Sequence, residues 1–195
     1  TGCTGFFGVW ILNVFDKAIK KYKLDLKVYV LTRNKNIKKN PIYRLCDKKK
    51  INFIVGDVRN FSYPKDIKKI DFCVHGATTK AEETFKKQSY SLKKKIILEG
   101  TKRVLKFSKL KNCTNFFYLS SGSVYKNLDK DIKLTESSST YTSKKITIKD
   151  NDISALGKSK IIAERIVLNY CKKNKISHSI GRFFTFVGPY MPMKI

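Results

Sequence analysis

Short apolar runs alternate along this chain with longer amphipathic stretches. Five runs read as strands: 26–32 (LKVYVLT), 51–55 (INFIV), 70–75 (IDFCVH), 115–120 (NFFYLS) and 178–184 (HSIGRFF). They are rich in β-branched and aromatic residues and mostly apolar on both faces, as strands of a parallel sheet covered by helices should be. Helices are predicted over 6–22, about 93–110 and 159–173. This alternation of strand and helix predicts an α/β fold, a Rossmann-type doubly wound parallel sheet. Residues 126–152 are polar and rich in Ser, Thr, Lys and Asp, which predicts a loop with a short strand at most.

Length and composition change the picture little. A chain of 195 residues, 42% hydrophobic and 12% aromatic, suits one folded domain spanning 1–195. The chain opens on Thr1-Gly2 without an initiator Met and without a strand ahead of its glycines, and it stops just past 187–190 (VGPY). It therefore reads as a domain cut at both ends, short of its first strand and of anything that follows. No apolar run approaches the roughly 18 residues of a membrane helix, and no cationic-then-apolar leader is present. The expectation is a cytoplasmic protein without a membrane partner.

The charge is +27, yet only six of the 42 basic residues are arginine. Nucleic-acid readers lean on Arg for bidentate contacts, and these lysines are spread over every part of the chain. A nucleic-acid partner is therefore not the expectation. Five cysteines stand far apart with no C-x-x-C pair, and there are two histidines, so no metal site is expected. The thiols read as small core residues in a reducing compartment.

The chemistry begins at TGCTGFFG (1–8), where Gly2, Gly5 and Gly8 precede an apolar helix. Gly2 permits a tight turn, Gly5 lets backbone amides approach a pyrophosphate, and Gly8 lets the helix pack on the sheet, with the helix N-terminus adding positive potential. The strand 26–32 follows where the second strand of a dinucleotide unit belongs. At its end, Arg33 stands where an acidic residue would read a ribose 2′-hydroxyl, a tilt towards NADP or simply a solvated Arg.

Six further motifs follow in order: GDVRNF (56–61), HGAT (75–78), EGTKRVL (99–105), YLSSGSVY (118–125), LGKSKIIAE (156–164) and GRFFTFVGPY (181–190). With TGCTGFFG they make the chain resemble the NAD-dependent epimerase/dehydratase family, sugar-nucleotide enzymes of the extended short-chain dehydrogenase/reductase superfamily. The resemblance implies NAD as cofactor, a nucleotide-sugar substrate, isomerase or lyase chemistry, a substrate domain beyond residue 195, and room for a homodimer. It gives Gly2, Gly5, Phe6, Phe7 and Gly8 to the pyrophosphate and Asp57 and Val58 to the adenine. Ala77 and Thr78 would line the path to the nicotinamide ribose. Ser121 would bond the substrate hydroxyl, and Lys160 would hold the nicotinamide ribose. Asp57 could instead cap a turn, and Ser121 could simply end a strand.

One departure bears on activity. The family writes Tyr-x-x-x-Lys where this chain has Leu156-Gly-Lys-Ser-Lys160. Residues four apart share a helix face, and the lysine charge lowers the tyrosine pKa; a leucine carries no proton. Tyr141, four residues before Lys145, is a candidate substitute. Gly122 and Ser123 replace the Asp-Glu pair usual in 4,6-dehydratases, and Ile97 replaces a frequent Asn. The expectation is an epimerase/dehydratase-like enzyme using bound NAD. The alternatives are a catalytically silent dinucleotide-binding protein or an NADP-dependent reductase of the same superfamily.

Overall fold

The computed structural model describes residues 1–33, 51–78, 90–125, 133–138, 140, 155–184 and 186–189. Helix α1 (Phe6–Tyr22) leads to the parallel pair β1 (Val28–Thr32) and β2 (Ile51–Val55). Strand β3 (Phe72–His75), helix α2 (Tyr90–Leu110), strand β4 (Asn115–Ser121), helix α3 (Ala155–Lys173) and strand β5 (Ser177–Phe183) then form a second parallel sheet ordered β3-β4-β5. The parallel α/β architecture agrees with the sequence pattern.

Side-chain alternation along the strands assigns the helices to opposite faces. Val30 meets Val9 and Leu12 of α1, while the next residue, Leu31, joins the main core. That core is built from Ile97, Val104 and Leu105 of α2, Ala163 and Val167 of α3, and Phe116 and Tyr118 of β4. α1 buries Val9, Leu12, Asp16 and Ile19, one stripe at helical spacing, and Asp16 is paired with Lys20 one turn on at 2.7 Å. It ends on Lys23 in the left-handed region, whose N–H donates to Ile19 O.

Several boundaries differ from the sequence reading, each for a local reason. The strand expected from residue 70 starts at Phe72, because the Ile70 N–H is drawn to Lys111 O at the end of α2. β4 runs on to Ser121, opposite Phe183, and β5 is displaced by one residue, starting at Ser177 beside Asn115. α3 begins at Ala155, not 159, since Gly157, Lys158 and Ser159 are buried despite their loop-like composition. Cys113 and Cys171 are core residues as expected, whereas Cys3 and Cys73 are only half-buried. Cys46 lies outside the described residues.

Candidate functional site: a glycine turn and the carboxyl ends of the strands

Residues 1–8 sit beside the end of β3. The main-chain nitrogen of Thr1 donates to Val74 O at 2.7 Å, and the Gly76 N–H donates to Thr1 O at 3.2 Å. Gly2 adopts φ +80°, and a Cβ there would lie 2.6 Å from the carbonyl carbon of Gly76. Only glycine tolerates both conditions. At Gly8 a Cβ would stand 2.2 Å from Cys3 Cα, so this glycine lets helix and turn touch.

The first bond into α1 is from Val9 N–H to Gly5 O. The amides of Phe6, Phe7 and Gly8 thus precede any intrahelical acceptor, and no acidic side chain stands in the first turn. These amides and the helix dipole suit an anionic pyrophosphate. The side chains of Phe6 and Phe7 point elsewhere: Phe6 stacks on Phe186 at 4.9 Å, and Phe7 packs on Phe183 and Phe186 at 4.5 and 4.1 Å. Any contact they offer a phosphate is through backbone.

At the neighbouring strand ends, Gly56 follows β2 and its N–H donates to Thr32 O at 2.8 Å. Asp57 caps the turn that comes next. Its Oδ1 accepts the Arg59 amide at 2.9 Å and Nε–H at 2.8 Å, and Oδ2 accepts an Arg59 guanidinium N–H at 2.9 Å. The bonds from Arg59, joined by the charge of Arg33, hold this carboxyl below the usual carboxylate range. Arg33 is exposed directly after β1 and close enough for its charge to reach Asp57. Val58 is buried against α2, where a Cβ on Gly100 would lie 2.8 Å from Val58 Cγ1. Ala77 is half-buried, with its N–H donating to Thr1 Oγ1 at 3.3 Å, and Thr78 is exposed.

Ser121 and Lys160 come together at the carboxyl end of β4. Ser121 Oγ accepts from the Ser123 amide at 3.3 Å and lies 3.0 Å from Ser123 Oγ, capping the 3₁₀ turn Gly122–Val124. Lys160 Nζ donates to Leu119 O at 2.6 Å and stands 4.7 Å over the Tyr118 ring. Burial pushes its pKa down to about 8, against the opposing charge of Glu164. Leu156, one turn earlier on α3, is half-buried against the main core. Tyr141 lies outside the described residues.

Sequence reasoning missed what stands behind Lys160. Ser120 Oγ donates to Glu164 Oε1 at 2.5 Å, and Arg182 grips Glu164 through Nε at 3.2 Å and a terminal N–H at 2.9 Å. Arg182 also donates to the Tyr125 hydroxyl at 3.1 Å and lies 4.9 Å from that ring. The bonds to Glu164 raise the Arg182 pKa further. The available signal was a carboxylate and a guanidinium inside otherwise apolar stretches, which pair when buried. His75 was also missed; it is fully buried between Thr1 and Thr101.

Among the described residues, no three or more His, Cys, Asp or Glu could hold a metal ion, and no helix is long and apolar enough to cross a membrane.

Residues 1–195 match the NAD dependent epimerase/dehydratase family, and the chain belongs to it. Solved structures of similar fold include the UDP-glucuronic acid 4-epimerase of Bacillus cereus in complex with UDP-glucuronic acid and NAD (22% identity, TM-score 0.77, covering 100% of this chain and 58% of that one). Two others are the dTDP-glucose 4,6-dehydratase DesIV of Streptomyces venezuelae with NAD bound (19%, 0.75, 97% and 56%) and the UDP-N-acetylglucosamine 4-epimerase of Methanobrevibacter ruminantium (17%, 0.75, 100% and 56%). The chain thus spans a little over half the length of these proteins. A search of curated protein sequences returns no match.

Proposed function

We propose that this chain forms the NAD-binding part of a sugar-nucleotide epimerase/dehydratase-like enzyme. The carrying observation is the glycine turn: Gly2 at φ +80° seated against Gly76, with the open amides of Phe6, Phe7 and Gly8 beyond it. Gly5 leaves room for the pyrophosphate, Asp57 and Val58 border the adenine, and Ala77 and Thr78 border the nicotinamide ribose. Lys160 has three donors and spends one on Leu119 O, which leaves two for ribose hydroxyls. Ser121 holds the reacting sugar hydroxyl. NAD supplies transient hydride acceptance, and the protein contributes binding and orientation. The half-buried free thiols of Cys3 and Cys73 suit the reducing cytoplasm.

A second reading, a silent dinucleotide-binding protein, is favoured by Leu156. It holds an apolar side chain on the core where the proton carrier would stand. Both readings share one first test. Full-length protein is denatured and any released dinucleotide identified by mass spectrometry. NAD supports the proposal, and NADP shifts it to a reductase with Arg33 on the 2′-phosphate. Release of neither, with no NAD binding by calorimetry, overturns it.

A further inference from the structure

His75 ends β3 with no exposed surface, its ring 6.2 Å from that of Phe116 and 5.6 Å from that of Tyr118. The surrounding hydrogen bonds allow one tautomer. Thr101 Oγ1 donates to Ile97 O at 2.7 Å, so towards His75 Nε2, at 3.1 Å, it accepts. Nε2 therefore carries the proton and Nδ1 is bare. Nδ1 then accepts the Thr1 hydroxyl at 2.7 Å, and a Thr1 lone pair is left for the Ala77 N–H at 3.3 Å. The result is an unbroken relay from Ala77 through Thr1, His75 and Thr101 to Ile97.

We propose that His75 is a positioning residue that clamps the glycine turn of residues 1–8 to residues 76–78, fixing the two backbone strips of the dinucleotide site relative to each other. The proposal rests on the dinucleotide-binding reading and adds a residue to it. Main-chain bonds between Thr1 and β3 set the register, and the imidazole sets the rotamer of the Thr1 side chain that caps Ala77.

The clamp depends on a bare Nδ1. A second proton would turn Nδ1 into a donor aimed at Thr1 Oγ1. The hydroxyl would lose its acceptor: with Nδ1–H and the Ala77 amide on its two lone pairs, its own proton would be left without a partner beside a buried ring. The groups facing the ring oppose that proton. Burial is the main one, and the positive charge of Lys160 adds to it, with Tyr118 and Thr101 the polar neighbours on β4 and α2. The clamp accordingly holds at neutral pH and weakens only in acid strong enough to charge the buried ring.

The test measures NAD affinity of the full-length protein by calorimetry, at neutral pH and in acid. Thr1→Val keeps the shape and removes the hydroxyl; it is expected to weaken binding about tenfold, the worth of one or two hydrogen bonds. Thr1→Ser should bind like the wild type. His75→Phe should match Thr1→Val, with no added loss in the double variant. His75→Asn, whose Oδ1 can accept from Thr1, should recover most affinity and lose the wild type's weakening in acid. Equal affinity of Thr1→Val and Thr1→Ser at every pH overturns the clamp. Should the wild type bind no dinucleotide, the parent reading fails, and hydrogen exchange still decides this one. The Ala77 amide exchanges faster in Thr1→Val than in Thr1→Ser if the clamp exists, and equally if it does not.

Discussion

Leu156 and Lys160 share one face of α3, a single turn apart, with Leu156 packed on the main core and Lys160 bonded to Leu119 O. The helix thus keeps its ammonium and offers hydrocarbon where a proton carrier would stand. Leu156→Tyr is expected to raise turnover of a panel of UDP- and dTDP-hexoses with NAD by about 10²–10⁴-fold, the usual worth of a positioned acid/base. No gain in a variant that still binds NAD would favour the silent reading. If the wild type already turns over, a collapse in Tyr141→Phe would identify the substitute.

The three glycines of the turn should respond unequally. Gly2→Ala meets both a positive φ and the immovable Gly76 main chain at 2.6 Å. We expect a loss of about 1–3 kcal/mol from backbone strain, with a steric share on top. Gly8→Ala, 2.2 Å from Cys3 Cα, should behave similarly. A Cβ on Gly5 finds only Gly2 O at 3.4 Å and no positive φ, so Gly5→Ala should melt near the wild type. Its NAD affinity should still fall, because that Cβ occupies the approach to the pyrophosphate. Melting temperature and calorimetry read the two effects separately.

Much of this arrangement was legible in the chain. Apolar runs such as 115–120 are strands because the middle strand of a parallel sheet is covered on both faces, and the three glycines marked the turn ahead of α1. What stayed hidden was tertiary. No periodicity shows that Lys158 and Ser159 are buried, or that Ile70 leaves the strand for Lys111 O. Polar partners far apart in sequence were equally silent: Thr1 meets His75, Ser120 meets Glu164, and Glu164 meets Arg182 only once β3, β4, β5 and α3 are side by side. Asp57 shows the limit of motif reading. Its candidate role at the adenine and its turn-capping bonds to Arg59 belong to the same carboxylate.

The Glu164–Arg182 pair should behave as a buried ion pair, since 8% of the Glu164 side chain and 24% of the Arg182 side chain are exposed. Glu164→Gln leaves the guanidinium without its countercharge and weakens the anchor of Ser120. Loss of about 3 kcal/mol is expected in urea unfolding. Glu164→Gln combined with Arg182→Met removes both charges and should be more stable than Glu164→Gln alone. Additive losses would show that the two residues act independently.

Lys160 makes a prediction on the alkaline side. Its pKa is about 8 in the fold against the ordinary 10.5, because burial disfavours the ammonium. Between those values the unfolded chain binds a proton that the folded protein has released, so this residue makes stability rise with pH across that interval. The penalty is fully present below about pH 8 and relieved by about pH 10.5, a change of about 3 kcal/mol at 1.36 kcal/mol per unit. Cys113 and Cys171 work the other way. Their thiols are pushed up to about 11, the folded state keeps protons that the unfolded state loses, and stability falls from about pH 9. The wild-type profile mixes these slopes, so the comparison is with Lys160→Met, which retains both thiols. Subtracting the variant's unfolding free energy from that of the wild type should leave a difference that climbs by about 3 kcal/mol between pH 8 and 10.5. A flat difference would mean that the ammonium reaches water in solution, and with it would go the bond to Leu119 O that places Lys160 at the end of β4.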